Sequence, residues 1–505
     1  MDRELLFALE SEKDSFPRYA PLNAATVLNA VEHLGEMPDV VAFTGGQKAG
    51  GLGSPYEGVG YLGAHLVEQR RMNFLGRRVT HFSSTHERAH IMGAIGMAPR
   101  DDSPLRAVLV WEGLIGCFYL IDHRWVITRA IPVLRGPGSR YANLFALADP
   151  AFPDQGAFSG ANDSGKLMAL AAYGDPREAD QAVVDTVNRI LTGPEYWPFP
   201  KYEFRESPIY NVGVEADIAK IAFALLTERI FGLFSAAAQE NLPRDIPLHI
   251  AGGCGLNCDW NTAWRELGHF SSVFVPPCPN DSGLAIGTAI DSLLALTGEP
   301  YIDWNVYGGL EFEWDRQVDA RFWHQRDLDE KAVADALASG RIFAWVQGRA
   351  EIGPRALGNR SLLGEPFHRA THNRLNEIKQ REGYRPIAPC CRIEDLGKAF
   401  DRDFDDPYML YFRLFKSNKF EAVTHVDGSA RCQTVSKESN EPLHGLLSAF
   451  SDRYGVGVLC NTSLNFKHRG FINKMSDLQE YCRARGVDDI VVGDVWLERK
   501  QAPAG

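Results

Sequence analysis

The sequence predicts an α/β protein, because segments typical of strands alternate with segments typical of helices. A long amphipathic helix is predicted at 215–241, and the strand-like PLHIAGG (247–253) follows it. A second strand, VFVPP (273–277), precedes a predicted helix at 283–296. Glycine-rich turns join these strands to the next helices, which is the chain order of α/β folds. Residues 108–121 are almost continuously apolar and predict a buried hairpin.

Length and composition exclude several classes of protein. The chain has 505 residues, of which 45% are hydrophobic and 23% are charged. These values are close to the average of globular proteins, and they exclude a disordered, collagen-like or coiled-coil chain. The net charge is −12, from 53 basic and 65 acidic residues. This charge argues against a general nucleic-acid binder, which needs a basic face.

Cysteine usage and hydropathy predict a cytoplasmic protein. The nine cysteines are odd in number and include no CxxC pair, which indicates free thiols in a reducing compartment. The N-terminus is charged and contains no apolar segment of a secretory signal. The most apolar stretch, from Ala107 to Ile121, is interrupted by Glu112 and is too short to span a bilayer. We therefore expect no membrane partner and no nucleic-acid partner.

A change in composition at 298–330 marks the expected boundary between two domains. This stretch contains several glycines and is then rich in charged residues and tryptophan. We expect one domain at about 1–310 and a second at about 320–505. The second domain begins with a predicted helix at 329–339 and a strand at 341–348.

Two histidines are candidate metal ligands. His86 and His90 are spaced i, i+4, so on a helix both imidazoles lie on one face and can bind one ion. Asp281, in a predicted strand-to-helix turn, is the candidate for an anionic third ligand. Two histidines and a carboxylate suit Fe(II) or Zn(II). The alternative is that the histidines are two polar residues on a partly buried helix.

A glycine pair after a predicted strand is a candidate nucleotide-binding turn. Gly252 and Gly253 allow the backbone to approach a phosphate or a ribose, and Asn257 can hydrogen-bond sugar hydroxyls. The alternative is a tight strand-to-helix turn with no ligand. Cys254 and Cys258 have no partner pair, so we interpret them as packing residues.

The strongest motif is QGRAEIGPRALGNRSLLGEP, at 347–366. Arg349, Arg355 and Arg360 alternate there with glycine and apolar residues, which is unlike a solvated charged loop. Guanidinium groups bind phosphate oxygens through paired hydrogen bonds, so these arginines predict a phosphate site. The other candidate residues of this site are Lys379, Arg385, Arg431, Asn461, Thr462 and Ser463.

Four motifs follow one another along the chain: GRAEIGPRALGNRSLL, NEIKQREGYRPIAP, THVDGSARCQTV and CNTSLN. In this order they resemble the O-carbamoyltransferases of the nodulation-protein-U type, a family that carbamoylates antibiotics and related metabolites. His86-x-x-x-His90, GKLMALAAYG (165–174), GGCGLNC and the Asp281 turn match the same family, so the resemblance covers essentially the whole chain. STHERAHIMGAIGMAP together with LVWEG is most similar to its cephem branch.

The resemblance implies a two-site enzyme, with an actin-like ATPase domain followed by a YrdC-like domain. The YrdC-like domain would convert carbamoyl phosphate and ATP, with Mg²⁺, to carbamoyl-adenylate, and Lys379 and Arg385 would act there. The actin-like domain would bind the adenylate and an iron ion. It would pass the carbamoyl group to a hydroxyl of a small antibiotic-like metabolite, such as a hydroxymethylcephem.

Two alternatives stay open at this point. One is N-carbamoylation or tRNA modification, which the net charge of −12 makes less favourable for tRNA. The other is a nucleotide-binding regulatory or chaperone-like module on the actin-like fold, without transfer chemistry. For the oligomeric state, a homodimer is one option.

The sequence departs from the family pattern in two places. Family members usually begin with a strand and a His-Asp-Gly turn that would contact nucleotide phosphates. This sequence starts just after that point, so we expect a truncated or mis-assigned start, or a dispensable strand. The usual Asp-Gly after the metal-site strand is here Glu112-Gly113. We interpret Glu112 as the base for the acceptor hydroxyl or as an orienting oxygen donor, and Asp163 as a further carboxylate or a helix N-cap.

Overall fold

Helices and strands alternate along most of the chain, which confirms the predicted α/β class. The computed structural model describes residues 3–18, 20, 22–47, 56–155, 157, 159–194 and 198–500. The helices there are α1 (Ala24–Leu34), α2 (His86–Gly96), α3 (Pro137–Ala148), α4 (Ala161–Ala171), α5 (Gln181–Thr192), α6 (Asp217–Asn241), α7 (Cys258–Glu266), α8 (Leu284–Thr297), α9 (Glu330–Ala338), α10 (Arg369–Ile378), α11 (Leu396–Ala399), α12 (Glu441–Tyr454) and α13 (Met475–Arg485). The strands are β1 (Val40–Thr44), β2 (Gly46–Gln47), β3 (Tyr56–Glu57), β4 (Val67–Phe74), β5 (Arg77–Ser84), β6 (Leu105–Trp111), β7 (Gly116–Asp122), β8 (Ile127–Pro132), β9 (Pro247–Ala251), β10 (Ser272–Phe274), β11 (Trp323–Asp327), β12 (Phe343–Val346), β13 (Arg360–Gly364), β14 (Ala388–Arg392), β15 (Arg413–Leu414), β16 (Ser429–Ala430), β17 (Gln433–Val435), β18 (Val458–Ser463), β19 (Asp489–Val492) and β20 (Val495–Arg499).

The chain divides into two compact units. The first contains Pro38–Asp303, and the second contains Glu4–Met37 together with the chain from Trp304 onward. The sequence-based boundary placed 4–37 in the first domain, whereas this segment packs in the second unit. Its backbone contacts explain why, since the Ala8 amide donates to the Gly308 carbonyl at 2.7 Å. The activities expected of the two domains stay predictions.

The first unit is built around a five-stranded sheet in the order β10-β9-β6-β7-β8. Strands β6, β7 and β8 form an antiparallel meander, so the hairpin predicted at 108–121 is confirmed. Strand β9 lies parallel to β6, and β10 lies parallel to β9. Because β6 and β9 are parallel neighbours, the residues that follow them, Glu112 and Gly252, emerge side by side. Gly252 has φ +90°, and a Cβ there would meet the Trp111 carbonyl oxygen, so a side chain is excluded at this point.

Helix α2 is held closely against α8. Thr85 caps α2 by accepting a hydrogen bond from the Arg88 amide at 3.1 Å. Arg88 then forms a bidentate ion pair with Asp291 of α8, with both hydrogen bonds at 2.7 Å. The helix backbones approach each other where Gly93 faces Gly287, with 3.4 Å between a Cβ built on Gly93 and the Gly287 Cα. Two small residues at the crossing therefore set the separation of the helices.

The second unit contains an eight-stranded mixed sheet in the order β11-β20-β19-β12-β13-β18-β14-β17. Successive side chains of β12 point to opposite faces of this sheet. Phe343 and Trp345 belong to one buried cluster, which also contains residues of α9 and α12. Ala344 and Val346 belong to another, which contains residues of α10 and α13. The sheet is therefore covered on both faces, which accounts for the nearly continuous apolar sequence of its central strands.

Two further expectations concern the cysteines and the apolar helix. All nine cysteines are free and buried, as the sequence predicted. In the described part of the chain, α6 is the one helix that is long and apolar enough to cross a membrane by length and composition alone. It packs against α3, α4 and α5 and buries Phe223, Leu226 and Ile230, which is how a core helix behaves.

The crossing of α2 and α8 makes Gly287→Ala a destabilising change. A Cβ on Gly287 would overlap the Ala89 carbonyl oxygen, so the helices must separate. We expect the free energy of unfolding in urea to fall by about 1–3 kcal/mol, as for other overpacked sites. Gly232→Ala in α6 is the matched control, since its Cβ meets nothing within 4 Å. It should leave stability unchanged or raise it by up to about 1 kcal/mol. Equal stability of the Gly287→Ala variant and the wild type would contradict this packing.

Candidate functional site

Four side chains of the first unit converge on one point. His86, His90, Glu112 and Asp281 each present one ligand atom, and these atoms all lie within 4.8 Å of one another. The Glu112 Oε2 atom is 3.2 Å from His86 Nε2 and 3.7 Å from His90 Nε2. The Asp281 Oδ1 atom is 3.8 Å and 3.6 Å from the same two nitrogens. The structure therefore brings together the three predicted metal ligands and adds Glu112 to them.

Three elements carry these side chains. His86 and His90 lie on α2, which confirms that their spacing places them on one helix face. Glu112 follows directly after β6, and Asp281 begins the short 3₁₀ turn that precedes α8. Since α2 packs on α8, the turn with Asp281 is held beside the two imidazoles.

The donor set fits a divalent metal ion. Two ligand atoms that each lie about 2.1 Å from one ion are at most about 4.2 Å apart. The four distances between imidazole nitrogens and carboxylate oxygens, 3.2–3.8 Å, are within this limit. The Nε2 atom of His90 is buried and has no hydrogen-bond partner, because both carboxylates are too far away for one. A metal ion would satisfy this nitrogen. Which ion binds, and whether one does, stays a prediction.

The charges within the cluster are strongly coupled. Burial alone would lower the pKa of His90, but the carboxylates of Asp281 and Glu112 outweigh it and raise this pKa to about 9. Burial likewise opposes ionisation of Glu112, yet the hydrogen bond with His86 and the charges of His86 and His90 hold the pKa of its carboxyl well below the usual range. Glu112 is therefore ionised at neutral pH.

Tyr61 completes the surroundings of Glu112, and the sequence did not indicate it. Its hydroxyl donates to Glu112 Oε1 at 2.5 Å, and its ring stacks on His86 with 4.0 Å between centroids. Burial, and then the negative charge of Glu112, raise the pKa of Tyr61, so the phenol stays protonated. Tyr61 lies in a loop far from the motifs, and nothing in its local sequence could have identified it.

The glycine turn after β9 has a well-defined structural role. The Asn257 side chain caps α7, since its Oδ1 accepts from the amides of Asp259 and Trp260 at 3.0 and 3.3 Å. The Gly252 amide donates to the Pro279 carbonyl at 2.7 Å. This is the geometry of a tight strand-to-helix turn, and the nucleotide-binding role of Gly252, Gly253 and Asn257 stays a prediction.

Asp163 is not a helix N-cap. The N-cap of α4 is Gly160, and Asp163 lies in the first turn of that helix. Its carboxylate is 3.2 Å from the Lys166 ammonium group. Of the two roles expected for Asp163, the capping role is wrong, because the N-cap lies three residues earlier and the sequence did not locate the start of α4.

The second unit contains a buried basic cluster. Lys379 is 9% exposed, and its ammonium donates to Ser463 Oγ at 3.1 Å and to the Asn465 side chain. Burial, and then the charges of Arg381, Arg18 and Arg385, lower the pKa of Lys379 well below its usual value. The cluster formed by Lys379, Arg381, Arg385, Arg431 and Arg18 is named the basic cluster below.

Few negative charges balance the basic cluster. Burial, with the charges of Arg385 and Arg431, lowers the pKa of Arg381 to about 9. The Glu382 carboxylate is 3.8 Å from Arg385, at the edge of ion-pair distance. The Nε atom of Arg431 is buried and has no hydrogen-bond partner. An arrangement of repelling cations with an unsatisfied donor favours an anionic ligand.

Two of the arginines predicted to bind phosphate donate instead to acceptors within the protein. The Arg349 guanidinium donates to the carbonyls of Leu6, Gly308 and Gly309, and so ties the N-terminal segment to the unit. Arg360 is fully buried, and its guanidinium is occupied by internal acceptors that include the Asn473 side chain and the Gln347 carbonyl. Neither arginine belongs to the basic cluster, because their donors already have partners.

The remaining predicted residues lie on or near the central strands. Arg355 is half-buried in the connection between β12 and β13. Strand β18 ends with Asn461, Thr462 and Ser463, and the Ser463 hydroxyl accepts a hydrogen bond from Lys379. Asn461 donates to Gln433 at 2.8 Å, while its own Oδ1 is buried without a partner.

Comparison with known proteins gives the chain its family. The family model described as the carbamoyltransferase C-terminus matches residues 334–499, and the carbamoyltransferase N-terminus model matches residues 214–290. The 3'-hydroxymethylcephem-O-carbamoyltransferase of Amycolatopsis lactamdurans is 58% identical over 501 residues, which cover 99% of this chain and 96% of the relative. The chain belongs to the carbamoyltransferase family.

Further relatives of this carbamoyltransferase agree. The Streptomyces clavuligerus enzyme of the same name is 57% identical over 99% of this chain and 96% of its own length. Nodulation protein U of Sinorhizobium fredii is 33% identical over 82% of this chain and 78% of the relative. The predicted resemblance and the predicted enzyme class are confirmed, so the alternative of a binding module without transfer chemistry is wrong.

Lys379 and Arg360 are both buried, and their removal should destabilise the fold to different degrees. Because the folded state lowers the pKa of Lys379, the unfolded state binds more protons between that lowered pKa and about pH 10.4, and stability rises with pH across that window. Lys379→Met should remove this part of the pH dependence. The change loses the hydrogen bonds to Ser463 and Asn465 but also removes the cost of burying the charge, so it should destabilise the fold less than Arg360→Met does.

Arg360→Met is the matched comparison for Lys379→Met. It leaves buried carbonyls without donors, so it should lower the free energy of unfolding by on the order of 3 kcal/mol or more. Thermal unfolding of both variants between pH 7 and pH 10 tests the pair. Equal destabilisation by the two changes would show that Lys379 is a structural residue.

Proposed function

We propose that this carbamoyltransferase transfers a carbamoyl group from carbamoyl phosphate to the hydroxymethyl group of a cephem. The observation that carries the proposal is the identity of 57–58% over 99% of the chain with two 3'-hydroxymethylcephem-O-carbamoyltransferases. The activated intermediate in this proposal is carbamoyl-adenylate. Carbamoyl phosphate, water and ATP form it with release of inorganic phosphate from carbamoyl phosphate and pyrophosphate from ATP, and AMP leaves when the carbamoyl group passes to the hydroxyl.

The basic cluster of the second unit supports formation of that intermediate. Carbamoyl phosphate and Mg²⁺-ATP are both polyanions, and the cluster places partly buried and exposed arginines around the buried Lys379, with few counter-charges. In the proposal, Lys379, Arg385 and Arg431 hold the phosphate groups, and the Ser463 hydroxyl lies beside Lys379. Binding a polyanion would relieve the mutual repulsion of these side chains. This relief would itself contribute to the affinity for the polyanion.

The four-residue cluster of the first unit supports a metal-assisted transfer step. His86, His90 and Asp281 would hold the ion, with iron as the proposed metal, and Glu112 would contribute a fourth oxygen. Such an ion would polarise the carbamoyl carbonyl as a Lewis acid. Glu112 was the expected base for the acceptor hydroxyl, but a carboxylate with so low a pKa is a weak base. The geometry favours the ligand role.

For the folds of the two units we propose the actin-like and YrdC-like classes. The order β10-β9-β6-β7-β8, an antiparallel meander joined to two parallel strands, supports the actin-like class because this is the strand order of such domains. The mixed sheet of the second unit is compatible with the YrdC-like class. The free, buried cysteines support the proposed cytoplasmic location.

Two variants should separate adenylate formation from transfer. A charge-assisted bond to phosphate contributes about 1.5–3 kcal/mol, so Lys379→Ala should slow carbamoyl-phosphate-dependent pyrophosphate release by about tenfold to a hundredfold. His86→Ala should leave this release intact and abolish carbamoyl transfer. His123→Ala, which removes an exposed histidine of the same unit, should change neither rate. A wild-type rate of pyrophosphate release in Lys379→Ala would refute the assignment of the phosphate site.

Mass spectrometry of reactions with two cephems tests the proposed hydroxyl acceptor. With ATP and carbamoyl phosphate, a 3-hydroxymethylcephem should gain the mass of one carbamoyl group, whereas the 3-methyl analogue should gain none, since it lacks the hydroxyl. A parallel reaction with tRNA and labelled carbamoyl phosphate should give no labelled RNA. Carbamoylation of tRNA, or of neither cephem, would replace the proposed acceptor.

A further inference from the structure

We infer that Tyr61 is a positioning residue for the metal centre, which directs one oxygen of Glu112 towards the two histidines. The inference rests on the proposed metal site and concerns a residue outside all the motifs of the family. Its hydroxyl holds Glu112 Oε1 at 2.5 Å, and the other oxygen, Oε2, is then the one that lies 3.2 Å from His86 Nε2.

Tyr61 also orients the first histidine. Its ring stacks on the His86 imidazole, with 4.0 Å between centroids and 20° between planes. The imidazole of His90 contacts that of His86 edge-on at 4.8 Å. One tyrosine therefore restrains a carboxylate through its hydroxyl and an imidazole through its ring, and the hydroxyl can be removed while the ring stays.

The loop that carries Tyr61 is fixed to the start of α2. The first amides of a helix have no partners within the helix. Here the His86 amide donates to the Gly60 carbonyl at 3.3 Å, and the Glu87 amide donates to the Tyr61 carbonyl at 3.0 Å. In return, the Gly63 amide donates to Glu87 Oε2 at 2.5 Å. The phenol is therefore held by the same helix end that holds the histidines.

The consequence concerns how Glu112 can bind an ion. A carboxylate binds metal ions through one oxygen or through both. Because Oε1 accepts the hydrogen bond from Tyr61, Oε2 is the oxygen available to an ion. The coordination position that Oε1 would fill in a bidentate carboxylate then stays open. Catalytic metal sites keep such an open position for water or substrate. Tyr61 thus favours a centre that can accept a substrate oxygen.

Cobalt binding tests the role of the hydroxyl without any catalytic assay. The metal-free full chain is titrated with Co²⁺ and followed by visible absorption, which reports affinity and coordination together. Tyr61→Phe keeps the ring and removes the hydroxyl, and we expect about tenfold to hundredfold weaker binding, the usual effect of losing an outer partner of a ligand, with a changed spectrum.

Two further variants separate positioning from packing. Tyr141→Phe is the matched control, because this buried hydroxyl hydrogen-bonds Thr227, which belongs neither to the metal cluster nor to the loop of Tyr61. It should leave the cobalt spectrum unchanged. In a Glu112→Ala background, Tyr61→Phe should cause no additional loss of affinity, since its effect passes through Glu112.

The outcomes distinguish the inference from the proposed function. Wild-type affinity and spectrum in Tyr61→Phe, with one Co²⁺ bound by the wild type, would overturn the inference and leave the metal site standing. An equal effect of Tyr141→Phe would also overturn it, since the cause would be general packing. If the wild type itself bound no Co²⁺, the proposed metal site and the inference would both fall.

Discussion

The close crossing of α2 and α8 is the constraint on which the candidate metal centre depends. Gly93 and Gly287 let the two helix backbones approach, and the ion pair of Arg88 with Asp291 fixes their rotation. One helix carries His86 and His90, and the turn before the other carries Asp281. The packing of these elements therefore places the side chains of the cluster close together without a large rearrangement of flexible side chains.

Each unit contains a cluster of charged side chains in which one buried nitrogen has no hydrogen-bond partner. In the first, carboxylates and imidazoles converge and leave the buried His90 Nε2 without a partner. In the second, cations converge and leave the buried Arg431 Nε without one. Each arrangement costs free energy while no ligand of opposite charge is present. In the proposed function, burial would therefore raise the affinity for a cation in one unit and for an anion in the other.

The sequence predicted a feature correctly where residues of a reactive type recur with the period of a helix or follow a glycine turn. The i, i+4 spacing of His86 and His90 predicts a shared helix face, and the glycine turns predict the α/β order; both are found in the structure. Arg349 and Arg360 show the limit of this approach. Their glycine-rich surroundings suit a phosphate loop, but they equally suit a guanidinium that binds backbone carbonyls, and only the fold distinguishes the two. Tyr61 and Arg18 reach their sites through tertiary packing, which leaves no periodic trace in the sequence.

The pairing of residues 4–37 with the second unit has a consequence for how the chain is assembled. From Glu4 onward, the first unit is an insertion within the second, since residues of the second unit come before Pro38 and after Asp303. The second unit is therefore discontinuous in sequence. During synthesis, its N-terminal segment can pack only after the C-terminal sheet has been made. A fragment that begins at Trp304 would lack the chain that accepts hydrogen bonds from Arg349 and would expose the surface that this chain covers.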